Sequence, residues 1–185
     1  EKLRKAGWIV QSMKELNLSA GRGVVVREFP TDTGPVDYAI FVDNVPVGVI
    51  EVKPDDAGEH LTEVESQSGR YANSRLKWVK GDYKIRFVYE ATGKLTRFTD
   101  YADEKCRSRA IFSFHRPETL AELLKDASTI RNRMKSYPPL NEAGFRDCQI
   151  TAINNLEKSF GEAKPRALIQ MATGAGKTFT AITAV

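Results

Sequence analysis

Apolar positions along the chain switch between a two-residue and a three-to-four-residue period, and the switches mark its elements. Leu3 and Ala6, followed by Gly7 and Trp8, read as the end of a helix, so the natural start is expected before Glu1. Val24 to Phe29, Val36 to Asp43 and Val47 to Lys53 read as three strands of a β-meander. Turn formers separate them, at Thr31 to Pro35 and at Asn44, Val45 and Pro46. From Glu59 to about Leu76 the apolar residues Leu61, Val64, Tyr71 and Ala72 keep helical spacing, opened by Pro54, Asp55, Asp56 and Gly58. Lys84 to Glu90 and Leu95 to Phe98 flank a hairpin turn at Ala91 to Lys94, and Ala110 to Phe114 adds a further strand.

Pro117 opens another helix, whose stripe of Leu120, Leu123, Leu124, Ala127, Ile130 and Met134 runs on to about residue 136. Pro138 and Pro139 can continue neither a helix nor a central strand, so a linker over 137–144 divides a domain at 1–136 from a second at 145–185. The second domain reads as a helix (Phe145 to Phe160), a polar loop (Gly161 to Arg166), a strand (Ala167 to Met171), a glycine loop and a helix reaching Val185.

Composition narrows the class. A chain of 185 residues, 41% hydrophobic and 28% charged, has the makings of a folded core, which excludes a disordered tail. Cys106 and Cys148 are far apart and form no CxxC or Cys/His cluster, so neither a disulfide framework nor a zinc site is expected, and a cytoplasmic setting is. Charges interrupt every long apolar run, and no membrane partner is expected. The net charge is +4, yet residues 105–135 hold eight basic and three acidic residues. Such a zone suits a polyanion such as nucleic acid, although plain soluble proteins carry basic faces as well.

Two strings carry chemistry. Ala172 to Thr178, between an apolar run and a helical pattern, has the order of a phosphate loop. Glycines let backbone N–H groups converge on phosphate, Lys177 reaches the outer phosphates, and the Thr178 hydroxyl can ligate Mg²⁺. Met171 replaces the first glycine of the general pattern, a position that superfamily 2 helicases and translocases vary while keeping the core found at 173–178. Arg146 and Gln149, with Ala152 and Ile153 after them, are similar to the element by which such motors read adenine.

The second string joins Asp37 on one strand to Glu51, Val52 and Lys53 at the end of the next. Antiparallel pairing through a tight turn sets the two carboxylates side by side, and alternation puts Glu51 and Lys53 on one face. Adjacent carboxylates repel unless a cation lies between them, which suits Mg²⁺, and a lysine beside them can bind and stabilise a scissile phosphate. A cross-strand salt bridge on a solvated face accounts for the same residues without chemistry. Against that reading, Val47, Val49, Ile50 and Val52 make the strand apolar on both faces, where uncompensated charge is costly. Gln67 and Tyr71, four apart on the following helix, share a face that can line a cleft, or stand as a solvated Gln and a half-buried Tyr. Asp55, Asp56, Glu59, Glu63 and Glu65 read as helix-dipole placement, and His60 and His115 are isolated.

Taken with Arg27 to Pro30, Gly34 to Tyr38 and Gln67 to Tyr71, these strings resemble the restriction (R) subunit of type I restriction-modification enzymes over nearly the whole length. The resemblance implies an α/β fold: a restriction-endonuclease-like central mixed sheet flanked by helices, then the beginning of a RecA-like motor lobe. It implies a PD-(D/E)xK nuclease with Asp37, Glu51 and Lys53 as its residues, Gln67 and Tyr71 as the family's QxxxY pair, and Mg²⁺ held by Asp37, Glu51 and the Val52 carbonyl. Gly174, Gly176, Lys177 and Thr178 would bind ATP with Mg²⁺, and Gln149 the adenine. Implied partners are double-stranded DNA and the methyltransferase (M) and specificity (S) subunits, with DNA cut after ATP-driven translocation. Val36 stands where the motif has its proline, and an acid of the first helix is either Glu1 or precedes it. The later Asp-Glu pair of such motors does not occur, so this stretch alone is not expected to hydrolyse ATP. One alternative is a DNA-binding module with an inactive nuclease core attached to an ATP-dependent helicase; another is a P-loop enzyme without nuclease chemistry.

Overall fold

Valine, isoleucine and phenylalanine crowd the strand segments, because branched and aromatic side chains pack well on a pleated surface buried on both sides. The computed structural model describes residues 1–32, 34–55, 76–77, 79, 83–126, 128–164 and 166–184. The chain forms two compact units, Glu1–Ala127 and Ser128–Val185.

The first unit comprises α1 (Lys2–Lys5), β1 (Ile9–Gln11), β2 (Gly23–Thr31), β3 (Gly34–Val42), β4 (Val45–Val52), β5 (Phe87–Ala91), β6 (Thr96–Asp100), β7 (Arg109–Ile111) and α2 (Pro117–Lys125). Among the described residues, seven strands lie in one sheet in chain order. β1 runs parallel to β2 and β4 parallel to β5, while every other neighbour is antiparallel, so the fold is α/β with a mixed sheet. The expected meander is β2, β3 and β4, and the expected hairpin is β5 and β6. A parallel pair needs a long crossover, and residues 53–86 supply it between β4 and β5. The helix expected from Glu59 falls almost wholly outside the described residues. Leu76, its last expected position, is buried and bridges to Thr31 instead.

Both faces of the sheet are covered. Val25, Ile40, Ile50, Phe87, Tyr89 and Phe98 pack with Leu120 of α2 on one side; Val24, Val26, Ala39, Phe41, Val49 and Val88 pack with Leu76 and Ile85 on the other. Arg86 fastens α2 to the sheet: its guanidinium grips Asp100 through Nε at 2.8 Å and Nη2 at 2.9 Å, while Nη1 donates to Leu123 O at 2.6 Å. The strand expected over Ala110 to Phe114 is shorter, because Phe114 leaves the ladder to bury against the Tyr89 ring, 5.3 Å between centroids. The helix from Pro117 also stops early, at Lys125. Thr129 takes an extended backbone, and its hydroxyl accepts from Asn132 N at 3.2 Å, which begins a new helix rather than continuing the old one.

The second unit holds α3 (Ile130–Arg133), a 3-10 turn at Met134–Ser136, α4 (Asp147–Gly161) and α5 (Lys177–Thr183). The turn at Met134–Ser136 packs on α4, so the compact units divide ahead of the linker expected at 137–144. The strand expected over Ala167 to Met171 is not formed. A ladder needs a neighbouring strand, and among the described residues none pairs with this segment, leaving Leu168 91% exposed. Among the described residues no helix is long and apolar enough to cross a membrane.

Candidate functional site

A distortion in β2 sets up the first cluster. Glu28, opposite Asp37 in the register that pairs Arg27 with Tyr38 and Phe29 with Val36, has a left-handed φ of 51°. A non-glycine residue there breaks the two-residue alternation. Val24, Val26 and Phe29 share one face of the sheet, and across from them so do Phe41, Ala39 and Val36. The β3–β4 pairing is last recorded at Tyr38 and Ile50. Just beyond, Asp37 Oδ2 accepts the backbone N–H of Val52 at 2.6 Å, so the Asp37 carboxylate closes the seam where the ladder ends.

On the other side of β4, Val49 pairs with Val88 and Glu51 with Glu90, and each pair shares a face. The face is apolar at Val49 and Val88 and becomes acidic one step on. The Lys53 backbone N–H donates to Ala91 O at 2.8 Å, which keeps β4 and β5 in step to the end. Its side chain turns back so that Nζ lies 3.4 Å from Glu51 Oε1, with the two side chains 22% and 18% exposed. Asp37, Glu51 and Lys53 are thus gathered at one end of the β3–β4–β5 segment. Val52, expected to be covered, is half exposed because no β3 residue pairs beyond it. Gln67 and Tyr71 lie outside the described residues.

Glu90 escaped the sequence reading. It is 4% exposed inside an otherwise apolar strand, and a lone acid within Phe87-Val88-Tyr89-Glu90-Ala91 was the signal that could have found it. Burial pushes its carboxyl above the usual range. The Ser108 hydroxyl, Arg97 and Lys53 oppose that rise, and Glu51 adds to it. Asp55 accepts Gly93 N, in the β5–β6 turn, at 2.6 Å. The other four members of that acidic patch lie outside the described residues.

Among the described residues no group of three His, Cys, Asp or Glu side chains is arranged to hold a metal by itself. The donors at hand are two carboxylates and the Val52 main chain, all hard oxygen donors of the kind that suit Mg²⁺ rather than a softer ion. The residues present fit such an ion.

The second cluster belongs to the second unit. Gly174 and Gly176 have left-handed φ values of 80° and 84°, which turn the loop between Ala172 and α5. A side chain at Gly176 meets a second obstacle: a Cβ there would run into the Gln149 Nε2 amide, which would have to shift. The Gln149 amide is buried and used at both ends, accepting from Arg146 N at 3.0 Å and donating to Ala175 O at 3.0 Å. Arg146 Nη1 donates to Gly174 O at 3.0 Å, so the start of α4 braces the loop at two points. Lys177 Nζ curls onto the loop carbonyls of Met171 (3.4 Å) and Ala172 (3.2 Å), and Thr178 is exposed.

Residues 11–124 match a family described as the type I restriction enzyme EcoKI endonuclease subunit second domain, and residues 142–185 match the type III restriction enzyme, res subunit. The chain is 31% identical to the type I restriction enzyme EcoKI endonuclease subunit of Escherichia coli (strain K12), over 97% of this chain and 20% of that protein. It therefore spans a fifth of that relative's length. A fragment structure assigned to the HsdR subunit of a type I restriction enzyme from Vibrio vulnificus YJ016 is similar at 21% identity and a TM-score of 0.41, covering 99% of this chain and 35% of that one.

Proposed function

The chain belongs to the family of type I restriction enzyme endonuclease subunits, matched over residues 11–124, and from that premise we propose that its first domain cuts double-stranded DNA by Mg²⁺-dependent phosphodiester hydrolysis. The observation that carries the reading is the meeting of Asp37, Glu51 and Lys53 at the common end of β3, β4 and β5. Asp37, Glu51 and the Val52 carbonyl would hold the metal, and the Val52 N–H fixes the Asp37 carboxylate at the end of the β3–β4 ladder. When bound, Mg²⁺ polarises the scissile phosphate as a Lewis acid. Lys53, tethered to Glu51 at 3.4 Å, binds the phosphate and offsets negative charge as water attacks in line. Gln67 and Tyr71 complete the cleft in this reading, as the family's QxxxY pair. The fold is then restriction-endonuclease-like, over the first compact unit, Glu1–Ala127, rather than the 1–136 expected from the sequence.

Residues 145–185 open a RecA-like motor lobe in which Gly174, Gly176, Lys177 and Thr178 bind the phosphates of ATP with Mg²⁺. Lys177 must leave the Met171 and Ala172 carbonyls to reach them. Gln149 uses one N–H and one lone pair internally, and its second N–H and second lone pair are the groups that read adenine in this reading. ATP-driven translocation would precede cutting, in a cytoplasmic complex with methyltransferase (M) and specificity (S) subunits that choose the DNA site. A DNA-binding module with an inactive nuclease core leaves the acid–acid–lysine cluster without a purpose, so it ranks below this reading. The test is Lys53→Ala in the complete subunit: DNA cutting is lost while translocation continues. Cutting at the normal rate with translocation intact refutes the nuclease assignment.

A further inference from the structure

Glu90 is a charged residue in an expensive place. A carboxylate 4% exposed in a strand buried on both faces is retained only where other charges or hydrogen bonds compensate it. The compensation has a direction. Arg97, which pairs with Glu90 across β5 and β6, donates from Nε to Ser108 Oγ at 2.9 Å and from Nη2 to Ser108 O at 2.7 Å. With its oxygen accepting from Arg97, the Ser108 hydroxyl turns its proton to Glu90 Oε2, at 3.4 Å. The relay ends on the face where Glu90 stands beside Glu51 and acts electrostatically on Lys53.

Lys53 Nζ lies 3.4 Å from Glu51 Oε1, and Glu51 stands opposite Glu90 in the β4–β5 register, so the second acid is one strand away. The contact of Lys53 is with the Glu51 carboxylate, which the nuclease reading also assigns to the metal. Glu90, covered by the sheet and engaged by Ser108, is poorly placed to reach DNA, and the β4–β5 register sets it beside Glu51, which holds the ammonium. We propose that Glu90, braced by Ser108 and Arg97, is a positioning residue that keeps the Lys53 ammonium aimed at the phosphate when Glu51 is committed elsewhere. This inference rests on the nuclease reading of Asp37, Glu51 and Lys53.

The test uses Glu90→Gln in the complete subunit, with Lys53→Ala as reference. Strand cleavage should show a kcat lower by roughly tenfold to a hundredfold, the range found when a residue supporting a site is lost, with KM for DNA and translocation kept. A second readout needs neither metal nor activity. Acetylation of Lys53 in the metal-free protein, followed by mass spectrometry, should run about threefold faster once the anionic partner is neutralised, which a merely structural role would not produce. Ser108→Ala, which keeps the charge and removes the brace, should shift both readouts the same way by less, and it decides the matter if Glu90→Gln fails to fold. Normal cleavage and normal Lys53 labelling in Glu90→Gln, or in Ser108→Ala where that is the deciding variant, overturn the inference while an inactive Lys53→Ala leaves the nuclease reading standing. Normal cleavage by Lys53→Ala removes both.

Discussion

Gly48→Ala probes the strand pair on which the site is built. Gly48 faces Phe87 across the β4–β5 ladder, three residues before Glu51 and Glu90. A Cβ there would meet Phe87 O at 2.5 Å, Phe87 Cβ at 3.0 Å and Phe87 C at 3.3 Å. Two of these are backbone atoms of a buried central strand, so relief requires the strands to part. Gly48 is not among the positive-φ glycines, so alanine can take its backbone conformation. Overpacking of this kind costs about 1–3 kcal/mol, while the lower entropy of the unfolded alanine chain returns about 0.4–1 kcal/mol. The net is a loss of about 1–2 kcal/mol, or a Tm lower by roughly 3–6 °C for a chain of this length. Gly21→Ala is the control: its Cβ would meet only the mobile tip of Ile9, Cδ1 at 2.7 Å, and should change stability by less than about 0.5 kcal/mol. Urea and thermal denaturation of both variants give the comparison. Gly48→Ala as stable as the parent refutes the close-approach argument and the placement of Glu51 beside Glu90 that relies on it.

Three further outcomes follow from the same structure. Burial and Arg109 hold the His115 imidazole below its usual range, with Asp100 opposing, and the Tyr89 hydroxyl meets its Nδ1 at 2.8 Å. The unfolded chain therefore takes up a proton that the folded one resists, and stability should fall as pH drops below about 6.5. Glu90 has the opposite sign, since burial raises its carboxyl and its cost is relieved on acidification, so the His115 effect is read as the difference between the parent and His115→Gln in urea titrations at pH 7.5 and 5.5. Arg86→Met strands Asp100, whose side chain is 6% exposed, and should cost about 3 kcal/mol at pH 7, partly recovered by adding Asp100→Asn. Gly176→Ala, forced against Gln149 Nε2 at a φ of 84°, should weaken ATP binding by the complete subunit about tenfold or more in fluorescence titrations, with DNA binding unchanged.

Much of the first unit could be read from period and punctuation. The strands around Val24–Phe29, Val36–Asp43 and Val47–Lys53 were legible because each apolar run ends at turn formers, and the Asp37-to-Glu51 spacing followed from two strands and a tight turn. What escaped depends on partners distant in sequence. β1 has three residues and exists only because β2 offers a parallel edge. Glu90 looks like a minor blemish in an apolar strand until the parallel register sets it beside Glu51. The kink at Glu28 is a backbone conformation that its residue type does not advertise. The early end of α2 lies in the Thr129 cap, which a continuous apolar stripe through Ile130 and Met134 concealed. Ala167 to Met171 fails as a strand for the converse reason: its pattern is right, and no described strand lies beside it.

In the proposed function, Asp37, Glu51 and Lys53 act together to hydrolyse a DNA backbone bond. Glu51→Gln, close in shape to glutamate, removes one charge next to Lys53 Nζ. Single-turnover cleavage of a plasmid by the assembled enzyme, with translocation scored in the same sample, should slow by roughly a hundredfold or more while translocation proceeds unchanged. Cleavage within twofold of the parent rate would contradict the claim.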